Sequence, residues 1–148
     1  MKYTTEQIVM QEIPSEISLS FEISGCPRKC PGCHTPELQQ DIGTELTKQI
    51  FDKICEKYAS YDGKFLFSCV LFMGGEQHPE IISLLNHCKE LGLKTALYTG
   101  ANELSVDIVE LLDYVKLGEY IESLGGLTSP TTNQMLLKLS KGVFYNGS

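Results

Sequence analysis

The chain has no basic segment followed by an apolar run in residues 1–15, so no secretory leader is expected. Nor does it hold a long hydrophobic run. The longest, Phe65 to Met73, is broken by Ser68 and is far too short to span a membrane. Basic residues are scarce: 12 Lys and Arg stand against 19 Asp and Glu, a formal net charge of -7. That balance argues against the basic stripe of a nucleic-acid binder and against anchoring on an anionic membrane. Low-complexity tracts, internal repeats and a linker are absent as well. What is left is a 148-residue chain with 42% hydrophobic and 21% charged residues, the make-up of a globular protein. A single domain over 1–148 is expected, large enough to bury about 70% of its extended surface without disulfide staples. The expected location is the reducing cytoplasm, where clustered cysteines are metal-binding or catalytic more often than bridged.

Such a cluster is present. Residues 26 to 37 read CPRKCPGCHTPE, with Cys26, Cys30, Cys33 and His34 inside nine positions. Four chemistries fit parts of it. Cys30 and Cys33 have the C-x-x-C spacing of a thiol redox site, and Cys30 to His34 spells the C-x-x-C-H of covalent haem attachment. All four donors would suit a structural zinc. The three cysteines alone would suit an iron–sulfur cluster.

The rest of the chain alternates. Glu16 to Ser24 has Ile17, Leu19, Phe21 and Ile23 on one face and Ser18, Ser20, Glu22 and Ser24 on the other, the period of a strand. Its polar face either meets solvent or lines a site. A helix follows the cysteine loop, with Leu46, Ile50, Ile54 and Tyr58 at four-residue spacing, Thr47 as N-cap and Leu46 with Phe51 as a hydrophobic staple. Lys64 to Phe72 reads as a strand covered on both faces, ending in Met73-Gly74-Gly75-Glu76. Pro79 opens a second helix with Ile81, Ile82, Leu84, Leu85 and Cys88 turned inward, and Gly92 stops it. Leu93 to Thr99 is a third strand. Asn102 or Ser105 opens a third helix with Val106, Ile108, Val109, Leu111 and Leu112 on its buried side. Tyr114 to Leu117 is a fourth strand, and a last helix over Thr132 to Lys141 precedes a short strand at Val143 to Tyr145.

Strand and helix in alternation predict parallel βαβ units in an α/β fold, and four strands are too few to close an eight-stranded barrel. An open, curved parallel sheet or partial (β/α) barrel is expected. In such folds ligands gather at the carboxyl ends of the strands. There the loops carry Cys26, Cys30, Cys33 and His34 after the first strand, and Gly74, Gly75 and Glu76 after the second. Thr99 and Gly100 follow the third, Gly118 and Glu119 the fourth. One edge thus collects the cysteine loop and every glycine-bearing turn.

That edge sorts the four chemistries. Haem attachment needs export, and no export signal is present. A redox dithiol leaves Cys26 unused. Zinc has four donors, but adjacent Cys33 and His34 rarely reach one tetrahedral metal together, and no second knuckle exists. Three thiolates suit a [4Fe-4S] cluster with one iron open to a non-protein ligand. Zinc stays as the weaker alternative.

C-x3-C-x2-C after the first strand, with Gly74-Gly75-Glu76 after the second, resembles the radical S-adenosylmethionine enzymes. Cys30-Pro31-Gly32-Cys33-His34 is similar to the activating proteins of anaerobic (class III) ribonucleoside-triphosphate reductases, themselves unusually short. Val115 to Tyr120 and Ser129 to Gln134 resemble the C-terminal part of that family. Glu12-Ile13-Pro14-Ser15-Glu16 departs from the Gly-Pro-Gly-Arg-like segment of many members, as in a divergent subgroup.

The resemblance implies a shortened partial barrel of radical S-adenosylmethionine type. It also implies a [4Fe-4S] cluster on Cys26, Cys30 and Cys33, and S-adenosylmethionine held by Gly32, Cys33, His34, Gly74, Gly75, Glu76 and Thr99. No catalytic residue beyond the cluster ligands is implied. Reductive cleavage of S-adenosylmethionine would give a 5′-deoxyadenosyl radical that takes hydrogen from a glycine of the reductase's glycyl radical subunit. A reductant such as flavodoxin or ferredoxin would supply the electron. The rival readings are a radical enzyme acting on a small molecule in cofactor or modified-nucleoside synthesis, and a non-enzymatic zinc or electron-transfer module. Cys55, Cys69 and Cys88 fall on predicted buried faces and read as core. His78 reads as a helix cap and His87 as surface. Glu119 is a strand-end position open to cofactor or partner, and Thr128 to Gln134 is a docking surface by resemblance.

Overall fold

The structure, a computed structural model, describes residues 1–24, 42–100, 104–118, 135–140 and 143–146, the last two stretches by their backbone. These residues form β1 (Lys2–Val9), β2 (Ser18–Ile23), β3 (Thr44–Glu45), α1 (Lys48–Lys57), β4 (Cys69–Met73), α2 (Glu80–Glu90), β5 (Lys94–Tyr98), α3 (Val106–Val109), β6 (Tyr114–Leu117), β7 (Met135–Ser140) and β8 (Val143–Asn146). All eight strands join one sheet in the order β3-β1-β2-β4-β5-β6-β7-β8. Its centre, β2-β4-β5-β6, is parallel, because α1, α2 and α3 each carry the chain back across the sheet between successive strands. The outer strands pair antiparallel on both sides.

All three helices pack on one face of the sheet. The parallel register sets Phe21, Phe72, Leu97 and Val115 in one row on that face. Phe51, Ile54 and Cys55 of α1, Ile81, Leu84, Leu85 and Cys88 of α2, and Ile108 of α3 close over it. Phe21 is the hub: its ring stacks on Phe72 with centroids 5.7 Å apart, leans on Phe51 at 5.8 Å and takes Tyr3 edge-on at 5.7 Å. No helix among the described residues is long and apolar enough to cross a membrane.

Local signals account for the helix ends. Thr47 is the N-cap of α1, its hydroxyl accepting from the Ile50 N–H over 3.2 Å, and Leu46 and Phe51 are both buried at the staple positions. Leu91 closes α2, and Gly92 follows at φ +76, where a side chain would be strained.

Several expectations are corrected. The helix expected over Thr132 to Lys141 is overturned at its described residues: Met135–Ser140 is strand β7, paired antiparallel with β6. The backbone of β6 would otherwise be an unpaired sheet edge, and pairing overrides the helical spacing of the leucines. Strand β1, which the alternation did not predict, covers the other side of the parallel core. Only Cys69–Met73 of the second predicted strand is in the sheet; Phe65 makes an isolated antiparallel bridge to Ala59, and Leu66 is exposed. Helix α3 is a single turn, and Val106, expected inside, is 68% exposed. The N-cap of α2 is Pro79, with no side-chain cap hydrogen bond; His78 contributes only its carbonyl, which accepts from the Ile81 N–H. His87 is not a surface residue. Its side chain is 11% exposed, its Nε2 lies 2.6 Å from Asp52 Oδ1, and its ring sits edge-on to Phe51.

Candidate functional site

The carboxyl ends of the four parallel strands fall in register, with Glu22, Met73, Tyr98 and Lys116 in the last common row. The ladder continues one step further. Gly74 N–H donates to the Tyr98 carbonyl over 2.8 Å, and Thr99 N–H to the Lys116 carbonyl over 2.9 Å. The edge is therefore held as one rigid line from β4 to β6.

Four of the residues implicated from sequence lie on this line. Gly74 and Gly75 leave β4 at φ +91 and +107, left-handed conformations that only glycine adopts without strain. Gly75 is buried against Ile23 and Ile81. Glu76 is partly buried and Thr99 buried. The chain leaves β2 at Ser24, whose N–H donates to the Lys2 carbonyl over 3.0 Å. Ile23, one residue earlier, sits beside Gly74, so the segment that carries the cysteines departs next to the glycine turn. Cys26, Cys30, Gly32, Cys33, His34, Glu119 and Thr128 to Gln134 lie outside the described residues. Among the described residues, no group of three or more His, Cys, Asp or Glu is placed to hold a metal.

The remaining thiols are core, as expected. Burial pushes Cys55 and Cys69 up to about 12 and raises Cys88 as well, so at neutral pH all three are protonated and inert.

Of the two sequence readings of the polar side of β2, solvent exposure is overturned at Ser18 and Ser20, and the contacts of that inner face, opposite the helices, were not foreseen. Ser18 and Ser20, on the polar side of β2, are buried rather than solvent-facing. They share that face with Cys69, Leu71, Ala96 and Tyr114, which pack on Ile13 from the loop before β2. Glu16 of the same loop is 6% exposed and accepts from Ser68 Oγ (2.7 Å), Lys94 Nζ (3.0 Å) and the Tyr114 hydroxyl (2.8 Å). Burial alone would raise the Glu16 pKa; the three donors outweigh it and hold the carboxyl below its usual range. Higher on the face, the Tyr98 hydroxyl donates to the Glu12 carbonyl, and Lys116 Nζ lies 4.3 Å from the centre of the Tyr98 ring. Burial lowers the Lys116 pKa. The only sequence signal for these contacts is parity: Tyr114 and Lys116 are two apart on one strand and so share a face.

The family model described as a 4Fe-4S single cluster domain matches residues 17–136, from just before β2 into β7, a span that includes the cysteine loop and the Gly74-Gly75 turn. No curated protein matches the chain.

Proposed function

Because the chain belongs to the 4Fe-4S single cluster domain family and is an iron–sulfur protein, we propose that it is a radical S-adenosylmethionine enzyme that installs a glycyl radical in an anaerobic ribonucleotide reductase. Cys26, Cys30 and Cys33 hold the [4Fe-4S] cluster in this reading. The donor set fits: three thiolates leave one iron for a non-protein ligand. The observation that carries the reading is the strand-end placement, where the segment bearing the cysteines leaves β2 beside two consecutive positive-φ glycines at the end of β4.

When bound on Cys26, Cys30 and Cys33, the cluster would supply the electron for reductive cleavage of S-adenosylmethionine, the chemistry from which a glycyl radical in the reductase would be made. The chain's own part is positioning. Gly74 and Gly75 have no side chain to keep a ligand off their peptide groups, and the Gly74–Tyr98 and Thr99–Lys116 hydrogen bonds hold the edge rigid. Gly32, His34, Glu76 and Thr99 complete the cofactor's surroundings. The fold in this reading is a radical S-adenosylmethionine partial barrel cut down to four parallel strands, and helices confined to one face support it. A flavodoxin or ferredoxin is the reductant.

Anaerobic reconstitution with iron and sulfide, followed by reduction in the presence of S-adenosylmethionine and the reductase, tests this. The expected results are cluster absorption, 5′-deoxyadenosine and a glycyl radical signal in the reductase. Stoichiometric zinc without a cluster would sink the reading. 5′-Deoxyadenosine without the radical would redirect it to a small-molecule substrate.

A further inference from the structure

Lys116 has a chemistry that nothing above uses. It stands one position before the end of β6, in the inner-face row with Tyr98, Met73 and Glu22. The side chain is partly buried, with its ammonium over the Tyr98 ring. That ring is fixed, since the Tyr98 hydroxyl is tied to the Glu12 carbonyl. Among the described residues no carboxylate forms an ion pair with Lys116. Glu22, at the far end of the row, is three strands away, about 14 Å at roughly 4.8 Å per strand. The face of an aromatic ring compensates only part of the hydration that a buried ammonium gives up. Ser20 stands one row lower on the same face, 1% exposed, and its hydroxyl has no hydrogen-bond partner. Among the described residues of this face, Ser20 and Lys116 are thus donors without an acceptor, and Lys116 stands at the strand-end edge.

We propose that Lys116 recognises a carboxylate at the strand-end site. Resting on the function proposed above, that carboxylate belongs either to the methionine part of S-adenosylmethionine or to an acidic group of the substrate. An ammonium already positioned by the Tyr98 ring gives up little further freedom on pairing, and the carboxylate restores the compensation that the ring supplies only in part.

The test uses the full chain with its cluster reconstituted, as wild type, Lys116→Met and Lys116→Arg. Equilibrium dialysis measures affinity for S-adenosylmethionine and for its decarboxylated analogue. If the cofactor is the source, Lys116→Met weakens S-adenosylmethionine on the order of 10- to 100-fold and leaves the analogue within about twofold, while Lys116→Arg retains most of the affinity. If the substrate is the source, cofactor affinity holds and glycyl radical transfer falls at least about tenfold, with KM rising more than kcat. Wild-type behaviour of Lys116→Met in both assays overturns the proposal, as does equal weakening of both ligands with a lowered thermal midpoint, which would mark a structural role. A wild-type protein that assembles its cluster yet binds no S-adenosylmethionine overturns the proposed function itself, and this assignment with it.

Discussion

Glu16 and Tyr114 stand 98 positions apart in the chain and share a hydrogen bond of 2.8 Å, the phenol donating to the carboxylate. With Ser68 and Lys94 on the same carboxylate, one side chain ties the loop before β2 to β6 and to the entrances of β4 and β5.

This clasp is pH-sensitive. The Glu16 pKa is lower folded than unfolded, so its stabilisation is complete above the unfolded value near 4.5 and fades as pH falls through the folded one. Denaturant midpoints should therefore drop below about pH 4.5, and Glu16→Gln should flatten that limb. At pH 7 the same variant should lose about 2–3 kcal/mol, because three donors face a neutral amide in place of a carboxylate. An unchanged acid limb in the variant would assign the pH response to other groups.

Gly74 and Gly75 should respond differently to alanine. Both pay the left-handed strain of about 1–2 kcal/mol. A Cβ on Gly74 meets nothing nearer than the Ile23 carbonyl at 3.6 Å, whereas on Gly75 it comes to 3.1 Å from Met1 Sδ and 3.3 Å from Ile81 Cδ1. Gly75→Ala should thus be the more destabilised in urea unfolding, by roughly a further 1 kcal/mol. Equal midpoints for the two variants would contradict the packing.

The cysteines should divide into two groups. Alanine at Cys26, Cys30 or Cys33 should abolish cluster absorption and bound iron. Alanine at Cys55 or Cys88 should keep both and cost about 1–2 kcal/mol of stability from the lost core volume. Iron and sulfide assays on reconstituted variants, read beside thermal melts, decide this. Retained iron in Cys26→Ala would remove the residue on which the iron–sulfur assignment turns.

Thr47→Ala tests the local logic of α1. Loss of the cap to Ile50 N–H should cost about 1 kcal/mol without affecting the cluster. A chemical melt and an iron assay on the same sample are sufficient.

The legible parts of the fold were those where side-chain period and backbone state agree. Tyr114 to Leu117 is β6 to the residue, and Thr47, Leu46 and Phe51 open α1 as their types require. β1 was hidden because Lys2 to Gln7 is mostly polar and the strand only half-buried, so its pairing with β2 rather than its own pattern makes it a strand. β7 was misread because leucine spacing over six residues does not separate helix from strand, and the open edge of β6 settles the matter. At the site, the glycine turn was visible from composition and position. The pairing of Lys116 with Tyr98 was not: it depends on the register between β5 and β6, which no single segment encodes.

The loop from Glu12 to Glu16 closes the sheet's inner face from below, with Ile13 against Leu71 and Ala96, and Glu16 clasped to Tyr114. Among the described residues this loop covers the lower part of that face, and Lys116 stands above it in the strand-end row. A polypeptide that reached Lys116 from the strand starts would have to displace this loop and break the Glu16 clasp.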